Sequence, residues 1–147
     1  MGSDLQDGRG DIEGKITMEF LNVIVAAVAA WVFGAVWYML LSKPWMKAAG
    51  IKVDENGKPE GESALPYILS IIAMLIVAGM MRHMFVTSGI TTLGAGLVSG
   101  LGVGLFFISP WIMINNAYGM RPFRLTLIDG GYATFGCGVM GLVLTLF

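Results

Sequence analysis

Hydrophobic residues in this chain run in four long blocks; they neither alternate nor recur on one helical face. Residues 20–42, 63–81, 84–120 and 130–147 carry no charged side chain. A bilayer core of about 30 Å is crossed by about 20 apolar residues in a helix. The blocks predict spans at roughly residues 20–41, 65–85, 91–115 and 123–147. The longest block exceeds one crossing, and Thr87-Ser88-Gly89 supplies its break. Pro66 suits the first turn of the second span. Connections this short make consecutive spans antiparallel. The predicted fold class is therefore all-α: an integral membrane four-helix bundle, up-down-up-down, covering residues 19–147 behind a polar tail at 1–18.

Composition narrows the class further. Charged residues make 13% of the chain, against about 25% in soluble proteins. Hydrophobic residues make 56%, and there are 21 glycines. Such a chain cannot clothe a water-exposed surface in polar side chains. A soluble enzyme and a nucleic-acid binder are excluded, and the single cysteine, Cys137, gives no disulfide framework. The tail sets Asp4, Asp7, Asp11, Glu13 and Glu19 against Arg9 and Lys15, so it is no secretory signal. It reads as a native acidic segment of disordered composition, with Met18 as an alternative start.

Charge sets the expected orientation. Lys43, Lys47, Lys52, Lys58, Arg121 and Arg124 share the side of loops one and three. Only Arg9, Lys15 and Arg82 fall on the side of the termini. Positive residues favour the cytoplasm, which predicts loops one and three in the cytoplasm and both termini outside. Trp37, Tyr38, Trp45, Tyr67, Trp111 and Tyr118 form an aromatic belt near the more basic face. Loop one, Lys43–Ala64, reads as a solvated loop with a turn at Asn56-Gly57.

Small residues are ordered along the spans. Gly96, Gly100 and Gly104 repeat every fourth residue, as do Ala26, Ala30 and Gly34. Thr126, Gly130, Thr134, Gly138, Gly141 and Thr145 line one stripe of the last span. In lipid, helices associate through close backbone approach across such residues. The seams could meet within one chain or between chains. Pro110 removes a backbone hydrogen bond and is expected to kink the third span, with Ser109 satisfying a freed carbonyl.

One carboxylate lies at membrane depth: Asp129, about two turns into the last span. An intramembrane ionisable group is a functional candidate by default. Asn115, Asn116, Arg121, Arg124 and Tyr38 are its expected neighbours. The plain expectation is that Asp129 pairs with an arginine and pins the third turn; the sharper one is proton or ion coupling. On the opposite face, Arg82 is expected to snorkel to the headgroups. His83 is the sole histidine and reads as an interface residue rather than a haem or pigment ligand. The eleven methionines read as packing residues, and no cofactor or metal is expected.

Two segments resemble a known family. One is Gly34-Ala35-Val36-Trp37-Tyr38 followed by Trp45-Met46-Lys47-Ala48. The other is Arg121-Pro122-Phe123-Arg124-Leu125-Thr126-Leu127-Ile128-Asp129-Gly130-Gly131-Tyr132, with Asn115 preceding it. Together they are similar to the signatures of a bacterial domain-of-unknown-function family of small four-helix membrane proteins, the DUF1761 type. The resemblance spans about Glu19 to Phe147. It departs in the connection from Tyr38 to Trp45, which is shorter and lacks the family's proline. It implies a four-helix inner-membrane protein and groups Asp129, Arg121, Arg124, Trp37 and Tyr38 as a unit, without supplying a reaction.

The expected function is an accessory or interaction subunit of a larger membrane complex, or a homo-oligomer, with lipids and partner subunits as its contacts. The alternative is a small transporter or channel using the Asp129 region. Binding of a lipid or small apolar ligand ranks behind these, and a membrane enzyme last.

Overall fold

The computed structural model describes residues 2–61 and 63–147, with side chains from residue 8 onward. Helices α1 (Gly2–Leu40), α2 (Ser42–Ala49), α3 (Leu65–Ser88), α4 (Leu93–Val103), α5 (Ser109–Tyr118) and α6 (Phe123–Leu144) follow one another, with a π-turn at Gly104–Ile108 between α4 and α5. No strand occurs among the described residues, only an isolated bridge between Val53 and Pro59. Four helices are long and apolar enough to cross a membrane: Gly8–Leu40, Leu65–Ser88, Leu93–Tyr118 and Phe123–Leu144. The fold is an all-α membrane bundle of four alternating spans.

Local chemistry sets the ends. Gly50 (φ 68°) and Gly89 (φ 67°) close α2 and α3 in the left-handed conformation that glycine adopts without strain. Thr92 caps α4, its hydroxyl accepting from the Ala95 N–H at 3.3 Å. The spans differ from the expected bounds chiefly at turns: α3 runs to Ser88, and the third span covers 93–118.

Two sequence expectations are corrected, and the disruption expected at Pro110 takes the form of a π-turn. Residues of the acidic tail belong to α1 and are not a separate disordered segment. A helix already formed in the membrane needs no new nucleus to grow, and Thr17 bonds the Glu13 carbonyl at 2.8 Å. Loop one does not begin as a loop, because Ser42–Ala49 forms α2. At Pro110 the backbone takes up the strain in a π-turn. The Ser109 N–H and hydroxyl both reach the Gly104 carbonyl, the hydroxyl at 2.8 Å. Pro110 then occupies the first turn of α5, where a missing N–H costs least.

The spans pack as an open layer in the order α3, α1, α6, then α4 with α5. Consecutive spans α3 and α4 share a short loop yet are not packed partners; α6 touches every other span. The tightest packing is in the half nearer the termini. There Ala26, Ala27, Ala30, Ala78, Met81, Phe85, Cys137, Met140 and Leu144 form one buried cluster. The α4–α6 contact is backbone on backbone: a Cβ added at Gly96, Gly100 or Gly104 would run into Gly141, Cys137 or Ala133 of α6. Gly138 in turn receives the Leu101 and Leu97 side chains. These seams thus meet within one chain.

Polar groups close the terminal end. The buried Asn22 amide donates to the carbonyls of Val143 (3.3 Å) and Phe147 (2.9 Å). Arg82 donates to the Leu144 carbonyl at 3.2 Å. The last carbonyls of a helix lack internal partners and carry partial negative charge. That draws Arg82 onto α6 rather than out to the headgroups, a correction to the snorkelling expectation.

Candidate functional site

The half nearer loop one is packed differently. Here aromatic side chains stand between α1, α3 and α6. Gly34 makes room for this: its Cβ position lies 2.7 Å from the Tyr132 ring. Tyr132 on α6 and Tyr38 on α1 meet edge to face with centroids 5.3 Å apart, and Tyr38 meets Trp45 of α2 at 5.5 Å. Offset and edge-on contacts of this kind suit the ring quadrupole.

Asp129 anchors the group. Its Oδ1 accepts from the Tyr38 hydroxyl at 2.8 Å and from the Trp45 indole N–H at 3.0 Å. Beside it, the Trp37 indole donates to the Ile128 carbonyl at 3.1 Å. A bare Gly131 allows that approach, since its Cβ position lies 2.8 Å from the Trp37 ring. Three helices are thereby joined by one carboxylate: α1 through Tyr38, α2 through Trp45, and α6 itself.

The arginines are elsewhere, which corrects the expected pairing. Arg121 donates to the Ala49 carbonyl at 2.8 Å, tying the end of α2 to the turn before α6. Arg124 is exposed. Among the described residues the one ion pair is Arg9–Glu13, so no cation lies within 4 Å of Asp129. The reason is helical geometry: Arg124 and Asp129 are five residues apart, about 140° around a helix of 3.6 residues per turn. Asn115 is also exposed and outside the group; its neighbour Asn116 bonds Thr126 instead, at 3.2 Å. Of the five expected neighbours, only Tyr38 meets Asp129.

Trp45, Trp37 and Tyr132 complete the site in place of the arginines. Their signal in the sequence was an aromatic ring with a polar tip near a buried carboxylate. Tyr132 sits three residues after Asp129, on the same side of α6.

The aromatic group walls a cavity of about 350 Å³ between α1, α3 and α6. Trp31, Tyr38, Trp45, Tyr67 and Tyr132 supply five of its walls, with Gly34, Ala35, Pro66 and Ser70 between them. The Trp31 indole donates to Ser70 at 2.8 Å and fixes the α3 side. No group of three or more metal-ligating side chains occurs among the described residues.

The family model described as "Protein of unknown function (DUF1761)" matches residues 21–145. The chain belongs to the DUF1761 family. The DUF1761 match includes every residue of the Asp129 group and of the cavity, and it begins beyond the acidic stretch of α1. No curated protein and no solved structure matches the chain.

Proposed function

We propose that the protein is a non-catalytic interaction subunit, serving either a larger inner-membrane complex or its own homo-oligomer. Loops one and three face the cytoplasm in this reading, following the excess of Lys and Arg there. The open layer carries it. The third span packs chiefly on α6, and 11% of its apolar window is buried, against 44% for α6. Its free side holds Phe106, Phe107 and Trp111. Gly94 and Gly102 stand there too, with nothing within 4 Å of their Cβ positions, on either side of the exposed Val98. Glycines cost helix stability, and an open notch of this kind suits the close approach of another helix.

Extraction in mild detergent tests the reading. The expected result is an assembly well above the 15.7 kDa of one chain, and a Val98→Cys variant that cross-links to a discrete partner in native membranes. Recovery as a monomer, with no cross-link, overturns it. A second reading, a small transporter or channel, is favoured by one observation: Asp129 has no cationic partner among the described residues. Loss of flux in liposomes for Asp129→Asn, with the fold intact, would select that reading.

A further inference from the structure

The cavity beside Asp129 has a composition that a packing defect would not have. Five of its nine lining residues are Trp or Tyr, and none is cationic. Its volume of about 350 Å³ lies within the range of small-molecule sites, roughly 300–1,000 Å³. On its α3 side Tyr67 is 67% exposed, and the cavity sits at the end of the helices nearer loop one. An acyl chain alone would be served by aliphatic walls. Another apolar hollow, between Phe33, Trp37, Leu97, Leu101, Phe135, Val139 and Leu142, has no carboxylate in its lining.

Electrostatics single out the occupant. The faces of Trp and Tyr rings attract cations, most strongly where water is excluded. Tyr38 and Trp45 both donate a hydrogen bond to the Asp129 carboxylate, and a charge-assisted bond of that kind pushes electron density back into the donor ring. The two rings nearest the carboxylate are therefore the better cation acceptors of the five. Asp129 supplies the formal negative charge, and no Lys or Arg among the described residues lies within 4 Å to cancel it. A carboxylate at this depth without a cation is costly, so a cationic guest removes a penalty that the chain itself leaves standing.

We propose that this cavity binds an alkylammonium group carried on an apolar tail. The ammonium rests against the Tyr38, Trp45 and Tyr67 rings within the field of Asp129, and the tail passes between α1 and α3 into the bilayer. The shared chemistry is found in the choline or ethanolamine headgroup of a lipid and in a free cationic amphiphile. This site is independent of the subunit reading above, because the cavity lies between α1, α3 and α6 and away from the free side of the third span.

The full chain in nanodiscs of phosphatidylglycerol, titrated with decyltrimethylammonium and followed by quenching of tryptophan fluorescence, tests the proposal. Its neutral carbon isostere, in which the quaternary nitrogen is replaced by carbon, is the control. Saturable binding of the cation, at least about 10-fold tighter than the isostere, is expected. Asp129→Asn keeps an oxygen for Tyr38 and Trp45 while removing the charge, and it should reduce that preference about 10-fold. Tyr67→Ala, at an exposed position away from the hydrogen bonds, should weaken cation binding several-fold without unfolding the protein. If phosphatidylcholine is retained in native mass spectra and is displaced by the probe, the natural ligand is a lipid headgroup; binding of the probe without such retention assigns a free amphiphile. Equal affinity for cation and isostere, or cation binding unchanged in both variants, overturns the proposal.

Discussion

Gly100 of α4 lies so close to the Cys137 carbonyl of α6 that a methyl group could be accommodated only by moving backbone. Gly102, two residues on, has nothing within 4 Å. The pair separates two roles of one residue type on the same helix. Gly100→Ala is expected to destabilise the protein by about 1–3 kcal/mol, the usual cost of overpacking. Gly102→Ala should be neutral or stabilising by up to about 1 kcal/mol through helix propensity. Thermal unfolding in detergent measures both. The fourfold spacing of Gly96, Gly100 and Gly104 was legible in the sequence, but their partner was not. Several stripes of small residues were available, and spacing does not say which two stripes face each other. Asp129 was equally legible as a candidate, and of its expected neighbours Tyr38 does bond it, whereas the arginines do not. Charge complementarity pointed to Arg121 and Arg124; the helical angle and the turn geometry direct those side chains elsewhere.

Elements show the same division. Hydropathy located three spans and the end of the first within a few residues, because uncharged stretches of membrane length admit little else; the start of the first lies further upstream, in the acidic stretch. It could not reveal α2, whose eight residues mix lysine, proline and tryptophan and lack the length for a confident periodicity. Yet α2 delivers Trp45 to Asp129, so the most useful short element in the molecule was concealed in what reads as a polar loop. The π-turn was half visible: Pro110 announced a disruption, while its form depends on Ser109. That hydroxyl lies 2.8 Å from the Gly104 carbonyl and 3.0 Å from the Gly130 carbonyl, so its one proton is donated to either or shared between the turn and α6. Ser109→Ala is expected to cost about 0.5–1.5 kcal/mol, the net worth of one hydrogen bond. Backbone amide exchange across residues 104–109 should rise in that variant, and unchanged exchange would show that the turn does not depend on the hydroxyl.

At the scale of the whole molecule, the described side chains of the acidic stretch are exposed as far as Met18. Gly8, Gly10 and Gly14 have no neighbour within 4 Å of their Cβ positions. A chain begun at Met18 is therefore expected to keep its thermal stability within about 0.5 kcal/mol, the range of changes at exposed sites. A larger loss would reveal a stabilising role for this arm. The layer has a further consequence for how the protein is made. Helix α6 leaves the ribosome after the other three spans, which converge on it, so those three enter the bilayer without their common partner. Until it arrives, α4 presents bare glycine backbone to lipid, and Tyr38 and Trp45 have no carboxylate to hold. The newborn chain thus passes through an interval in which it is inserted but unassembled, and a ribosome stalled before Phe123 would leave a product for membrane quality control to remove.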